Sequence, residues 1–234
     1  MSRKSVLSIA KKEFKSFFVT PVGYIVIGLY LVVSGWFLFS TIFLSKSVTL
    51  RDFFSLMPMI LSFIIPALTM KSFSEEYKTG SYEMLGTQPI TTMDITIGKV
   101  LATWAFVIVM LLPTLSYPLF LSTLGDLDNG VVLSGYIGAF LLSGSFTAIG
   151  TLASTLTKNQ IIAFLIGAVI CFVLTIIEGM VILLPKTVAG FIQYLSVGYH
   201  FKNISKGIID SRDLIYFSSL IFLSILATGR RVNK

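Results

Sequence analysis

Residues that could carry out chemistry are few in this sequence, and their number excludes the common metal and catalytic sites. The 234 residues include one cysteine, Cys171, which lies within a long apolar run, and one histidine, His200. A single cysteine cannot form an internal disulfide, and one cysteine with one histidine cannot supply the four ligands of a structural zinc site. We therefore expect no metal site and no catalytic residue in this chain.

Two short motifs resemble catalytic sequences, but each lacks a residue that the chemistry requires. Glu75-Glu76 begins like the Glu-Glu-x-x-x-Arg pattern of some intramembrane metalloproteases, yet position 80 is glycine and such a site needs more than one histidine. Gly98-Lys99 resembles the end of a phosphate-binding loop, whose pattern is Gly-x-x-x-x-Gly-Lys-[Ser/Thr]. The first glycine of the pattern is replaced by Met93, and the final Ser or Thr is replaced by Val100. The chain therefore lacks the means to hydrolyse ATP by itself.

The composition indicates an integral membrane protein. Hydrophobic residues make up 55% of the chain and charged residues 12%, with a mean hydropathy of +0.89, whereas about a quarter of the residues of a soluble domain are charged. A helix needs ~20 apolar residues to cross a bilayer. The predicted spans are residues 22–44, 53–70, 100–121, 131–156, 161–184 and 214–228. Because these spans leave no room for a separate catalytic domain, we expect residues 1–234 to form one transmembrane domain.

The distribution of basic residues predicts the orientation of these spans. With the N-terminus inside, 12 of the 18 Lys and Arg residues fall in inner segments and six in outer segments. Basic residues accumulate on the cytoplasmic side of membrane proteins. We therefore expect a multi-pass membrane protein with both termini in the cytoplasm.

Two segments are predicted to lie along the membrane surface rather than cross it. In residues 1–20, apolar positions recur at helical spacing between lysines, which is typical of an interfacial amphipathic helix. Thr20-Pro21 should end this helix and begin the first span. Residues 187–212 are too polar to cross and too apolar for a free loop, so we expect short interfacial or re-entrant helices in the outer leaflet.

Three further features are expected to be mainly structural. Glu178 should lie near the outer end of the fifth span, within reach of water or Lys186, where it has a structural role or lines the mouth of a translocation path. His200 lies among aromatic residues and fits an interfacial aromatic belt better than a pH switch. In the fourth span, small residues form a surface that permits close helix approach, and we favour a neighbour from the same chain over a partner copy. These small residues are Gly135, Ala139, Ser143, Gly144, Thr147, Ala148 and Thr151.

The longest inner connection, residues 71–99, has the sequence of a short exposed helix. Glu75-Glu76 is followed by a break at Thr79-Gly80, then by a predicted helix over residues 81–85 with Glu83 in its first turn. Gly86 and then Pro89 follow as helix-ending residues. A short surface helix on a membrane bundle is typical of a segment that docks onto another protein. The alternative is a solvated acidic turn at the end of a span.

These residues resemble those of the ABC-2 class of ABC-transporter permeases. The pattern Glu-Glu-x-x-x-Gly-[Ser/Thr]-x-Glu-x-Leu-x-x-x-Pro over residues 75–89, with Gly98-Lys99 before the next span, is similar to the coupling-helix region of that class. Four stretches resemble, more specifically, the permease family associated with bacterial gliding motility. They are residues 20–28, 65–76, 156–164 and 205–216.

The resemblance implies a fold, a set of partners and a docking site. The fold is an all-α, six-helix, type V exporter-like permease bundle with an N-terminal interfacial helix and a cytoplasmic coupling helix. The chain would be a permease subunit, of the exporter type, that pairs with a second copy or a sister permease and with two cytoplasmic ATPase subunits, which bind the ATP and Mg²⁺. It would contact membrane lipids and no nucleic acid, and bind no cofactor directly. The residues that would form or position the ATPase contact are Glu75, Glu76, Lys78, Thr79, Gly80, Glu83, Leu85 and Pro89.

Two other functions remain open at this point, an ion-driven secondary transporter or channel and a structural membrane scaffold. Ion-driven transporters usually carry ionisable residues near the middle of the membrane or paired interrupted helices. Glu178 is the only acidic or basic residue within the six predicted spans, so the sequence favours the ABC permease.

Overall fold

The computed structural model describes residues 3–45, 49–81, 91–180 and 186–233, and every regular element in this part of the chain is helical. Six stretches of it are long and apolar enough to cross a membrane. The predicted all-helical fold with six spans is therefore confirmed. In chain order the α-helices are α1 (Arg3–Val19), α2 (Pro21–Ser45), α3 (Arg51–Thr69), α4 (Lys71–Thr79), α5 (Thr92–Leu111), α6 (Ser116–Leu121), α7 (Asn129–Ser154), α8 (Gln160–Met180), α9 (Lys186–Leu195), α10 (Val197–Ser205) and α11 (Ser211–Val232).

The six spans differ from the apolar runs mainly at their ends. The second continues from α3 into α4, and the third begins at Thr92 rather than at residue 100. Helices α7 and α11 begin after Asp128 and Asp210, whose carboxylates accept hydrogen bonds from the first backbone N–H groups. Such N-cap residues are polar, so a boundary drawn from apolar residues alone falls too late.

The N-terminal helix α1 packs along α5 and turns sharply into the first span. Its lysines at positions 11, 12 and 15 are exposed, while Phe17 stacks on Phe106 of α5 with ring centroids 4.6 Å apart. Pro21 begins α2, a position where its fixed φ and missing N–H are tolerated. At Gly23 a Cβ atom would overlap the carbonyl group of Phe17, so only glycine permits this close turn.

Helix α7 lies at the centre of the bundle and packs against α3, α5, α8, α10 and α11. Two of its glycines face large side chains of neighbouring helices. An added Cβ at Gly135 would overlap the Phe54 ring, and an added Cβ at Gly144 would overlap the Trp104 ring. The Trp104 indole N–H also donates a 3.0 Å hydrogen bond to the Phe140 carbonyl of α7. The small residues of the fourth span therefore receive helices of the same chain, as predicted.

The third span is interrupted by a 3₁₀ turn at Leu112–Leu115, between α5 and α6. Pro118 has no N–H to donate to the Thr114 carbonyl, four residues earlier, as an α-helix requires. The Tyr136 hydroxyl of α7 donates to that carbonyl instead, at 2.7 Å. Inside a membrane such a donor from a neighbouring helix is what makes a proline break tolerable.

Replacing Tyr136 by phenylalanine should therefore lower the free energy of unfolding by ~1–3 kcal/mol, because the carbonyl loses its donor in a buried place. Thermal unfolding in detergent micelles measures the change. Tyr24→Phe is the matched control, since the Tyr24 side chain is exposed. Equal unfolding temperatures for the two variants would contradict this account of the break.

Candidate functional site

The predicted docking residues begin on a helical extension of the second span. Met70 keeps helical backbone angles, and its N–H donates to the Pro66 carbonyl at 2.9 Å, so α4 follows α3 without a loop. Glu75, Glu76, Lys78 and Thr79 all belong to α4. The acidic pair Glu75-Glu76 therefore lies in a helix rather than in a turn.

Gly80 ends α4 in the left-handed conformation, with φ 71°. A glycine in this conformation is the usual signal that stops an α-helix, and it agrees with the predicted break at Thr79-Gly80. Glu83, Leu85 and Pro89 lie outside the described residues, so the short helix over residues 81–85 stays a prediction.

One buried lysine joins α4 to two other helices. The Lys99 ammonium of α5 lies 2.6 Å from Glu76 Oε1 of α4 and 3.1 Å from Glu13 Oε1 of α1. It also donates to the Ser72 carbonyl of α4 at 2.6 Å. We call this group of four residues the Lys99 cluster. Its three hydrogen bonds match the three donors of an ammonium group.

The Lys99 cluster is largely removed from solvent. The Lys99 side chain is 4% exposed, that of Glu76 18% and that of Glu13 32%. A buried ammonium is stable only where acceptors replace its hydration, and here two carboxylates and one carbonyl do so. The cluster holds one cation and two carboxylates, and Glu76 Oε2 is buried without a hydrogen-bond partner among the described residues.

Glycine at position 98 explains why α1 can reach Lys99. A Cβ atom at Gly98 would lie 2.8 Å from the Ile9 side chain of α1 and 3.2 Å from the Val6 carbonyl. Such distances are too short for a side chain, so Gly98 allows the two helices to approach. The Gly98-Lys99 motif thus serves packing and ion pairing in this fold.

A small apolar cluster lies beside these charges. Phe73 of α4, Ile95 of α5 and Val232 of α11 are buried together, with Ile9 of α1 packed against them. The Lys99 ammonium is 5.1 Å from the centre of the Phe73 ring, within the range of a cation–π contact. Because α1 and the last residues of α11 meet here, we call this end of the bundle the terminal end.

A groove of about 490 Å³ opens next to α4 at the terminal end. It lies between Tyr77 of α4, the loop that joins α7 to α8, and Arg231 of α11. Lys158 of that loop also lines it, so the groove has a basic rim.

The remaining predicted site residue, Glu178, lies far along α8 and contacts α10. Its Oε1 is 3.3 Å from the Lys202 ammonium, and both side chains are partly exposed. The side chain of Lys186, the predicted partner, lies outside the described part of the structure, so that contact stays a prediction. Whether Glu178 lines the mouth of a path stays a prediction.

The prediction for His200 was wrong. Its side chain is 3% exposed and pairs with Asp213 of α11 at 2.6 Å, so it lies inside the bundle instead of in an interfacial belt. One weak signal in the sequence pointed to this pair, since Asp213 is the one acidic residue of α11.

Glu13 and Lys99 were also missed as members of the site. Glu13 is the only acidic residue among residues 1–20, which also contain five basic residues. This isolated acidic residue is the signal that could have indicated a specific partner. Lys99 was assigned to the inner connection because a charge inside a span is costly. In the structure it lies in the second turn of the third span.

Replacing Lys99 by methionine should destabilise the protein, because two carboxylates then lose their cation. We expect the loss to be at or below the ~3–5 kcal/mol seen when one partner of a buried ion pair is removed, since Glu13 and Glu76 retain some solvent contact. The measurement is thermal unfolding in detergent micelles. Lys158→Met is the control, as an exposed lysine at the same end, and the double variant Lys99→Met/Glu76→Met should recover part of the loss. A Lys99→Met protein as stable as its control would show that the cluster contributes nothing.

The sequence was also compared with known families. A family model described as "ABC-2 family transporter protein" matches residues 36–229, from the first spanning helix to the last. No curated protein matches the sequence. The match agrees with the six candidate spans, and the permeases of this family are multi-pass membrane components that are not themselves catalytic. The chain belongs to the ABC-2 family of transporter proteins.

Proposed function

We propose that this chain is the membrane-spanning permease subunit of an ATP-driven exporter, in which a separate ATPase subunit hydrolyses ATP and thereby drives substrate translocation. The observation that carries this proposal is the Lys99 cluster. It joins the segment predicted to dock the ATPase to both the N-terminal helix and the third span, through hydrogen bonds of 2.6–3.1 Å. Force applied to α4 would therefore reach α1 and α5 at once.

The route from this segment into the bundle is continuous. Helix α4 follows α3 without a loop, and α3 packs against both α7 and α8. A displacement of α4 along its axis would move α3 against the central helix. This is the kind of two-state coupling between distant sites that an ABC transporter needs to alternate inward and outward access.

The proposed assembly contains two ATPase subunits and two permeases, the second being another copy of this chain or a sister permease. ATP and Mg²⁺ would bind to the ATPases. The terminal end would face the cytoplasm, with α1 in the inner interface of the bacterial inner membrane and the α9–α10 segment in the outer leaflet. Residues 1–234 would form one permease domain, and Glu178 would lie near the outer mouth of the path.

The proposed docking surface includes α4, residues 81–89 and the adjacent groove. Lys78 and Lys158 are exposed at this surface, which favours an acidic region on the ATPase. The gliding-motility-associated branch of the family is proposed from the resemblance of residues 20–28, 65–76, 156–164 and 205–216.

The break at Gly80 offers a test of docking that does not depend on side-chain contacts. A Cβ at Gly80 would meet nothing within 4 Å, but the residue has φ 71°. Gly80→Val should therefore cost roughly 1–2 kcal/mol through backbone conformation alone and displace residues 81–89, whereas asparagine tolerates this conformation. We expect Gly80→Val to reduce the ATPase activity that co-purifies with the permease in detergent, and Gly80→Asn to retain it. If no ATPase co-purifies with the unchanged protein, or if both variants retain it equally, the proposed docking segment is wrong.

Accessibility to a membrane-impermeant thiol reagent tests the orientation. The one native cysteine, Cys171, is buried and can be replaced by alanine. Positions 78 and 126 are both exposed and lie at opposite ends of the bundle. In the background without Cys171, Lys78→Cys should therefore react only in inverted inner-membrane vesicles. Asp126→Cys should react only in intact spheroplasts. Reaction of Lys78→Cys from outside the cell would end the proposal that this segment meets a cytoplasmic ATPase.

A further inference from the structure

The single histidine of the chain makes a buried contact between two helices that the proposed ATPase coupling does not use. His200 of α10 has its Nδ1 2.6 Å from Asp213 Oδ1 of α11 and its Nε2 3.0 Å from the Tyr194 carbonyl of α9. Both side chains of the pair are less than 5% exposed. The imidazole therefore connects three helices in a place that water scarcely reaches.

The hydrogen-bond partners of the ring determine its protonation state. A backbone carbonyl only accepts hydrogen bonds, and an ionised carboxylate also only accepts. Neutral imidazole has one N–H, so it can satisfy one of these two partners and must point a lone pair at the other. Two N–H groups satisfy both. A proton on the carboxylate would be the other solution, and it would leave one ring nitrogen without a proton.

We propose that His200 and Asp213 form a proton-binding site, in which the histidine carries both ring protons and fastens α10 to α11. The ligand is a single proton held as an imidazolium–carboxylate pair. This inference goes beyond the proposed transport function and does not depend on an ATPase partner.

The surroundings of the pair favour a cation on the ring. The Tyr216 ring of α11 stacks on the imidazole, with centroids 4.0 Å apart and planes inclined by 20°, an arrangement that attracts a planar cation. Tyr199 of α10 meets the imidazole edge-on at 5.4 Å. Asp213 Oδ2 is buried without a hydrogen-bond partner among the described residues, so the carboxylate depends on the imidazolium for compensation.

Two other charged side chains of this region, Lys202 and Asp210, have partners of their own. Lys202, two residues further along α10, pairs with Glu178 of α8 at 3.3 Å. Asp210 accepts from the Arg212 N–H as the N-cap of α11. Among the described contacts of Asp213, the His200 imidazole is therefore the group that can supply a positive charge.

The site links proton occupancy to the position of α10. Phe201 and Ile204 of this helix are buried in the main core against Gly138 of α7. If the ring loses one proton, its single N–H can bond to either the Asp213 carboxylate or the Tyr194 carbonyl but not to both. The contact between α10 and α11 then weakens. The segment Val197–Ser205 can then separate from α11 more readily, at the end of the bundle opposite the Lys99 cluster.

The protonation state can be read directly, because one histidine gives one set of ring signals. The protein is labelled with ¹⁵N-histidine, placed in detergent micelles or lipid, and its ring nitrogens are observed by NMR near neutral pH. We expect both nitrogens to show the shifts of N–H groups, as in an imidazolium. An unprotonated nitrogen signal under these conditions would overturn the proposal, and this measurement needs no variant.

A pair of variants tests the role of Asp213. In Asp213→Asn the counter-charge is lost, so we expect one ring nitrogen to become unprotonated and the amides of Val197–Ser205 to exchange with deuterium about tenfold faster. Asp210→Asn is the control, because asparagine also caps helices and Asp210 is exposed. Two protonated nitrogens in Asp213→Asn, or exchange rates equal to those of the control, would show that Asp213 does not hold the proton and α10.

Discussion

A lysine ammonium inside a membrane protein must be surrounded by acceptors, and the arrangement of helices at the terminal end meets this requirement for Lys99. Two helices supply the three acceptors, α1 with Glu13 and α4 with Ser72 and Glu76. Each acceptor can approach only if its helix lies close to α5. Gly98 permits this for α1, and the buried Phe73 ring anchors α4 beside it. The positions of α1 and α4 are thus fixed by one charged group.

This dependence explains why α1 and α4 can act as one unit although neither is fully buried. Helix α1 packs along α5, whereas α4 has nine residues of which Phe73 and Ser74 are buried, so α4 gains little from packing alone. An ion cluster with two carboxylates around one ammonium adds directional bonds, whose geometry is more restrictive than apolar contact. The same end of the bundle contains the exposed lysines and the groove, so the rigid part and the exposed part lie side by side.

Much of the architecture could be predicted from the sequence, because apolar length and the positions of proline and glycine determine it locally. The number of spans, the break at Gly80 and the close packing of α7 all follow from such local signals. The beginnings of α5, α7 and α11 did not, because their first turns are capped by polar side chains. A rule that rejects charges inside a span necessarily removes Lys99 from α5. Its partner Glu13 lies 86 residues away along the chain, and no pattern in a single sequence connects two positions so far apart. His200 and Asp213 are only 13 residues apart, but a loop with Gly207 at φ 97° separates their helices, and hydropathy cannot indicate how that loop returns.

The 3₁₀ turn at Leu112–Leu115 divides the third span into two sections with different attachments. The longer section, α5, is held by α1 and the Lys99 cluster, whereas α6 is held through Tyr117, whose hydroxyl lies 3.3 Å from Ser34 of α2. The turn has fewer and poorer hydrogen bonds than an α-helix, so bending there costs less than bending elsewhere in the span. The third span can therefore bend at this turn. If α5 tilts, the angle between α5 and α6 changes first near Pro113, and α6 keeps its contact with α2.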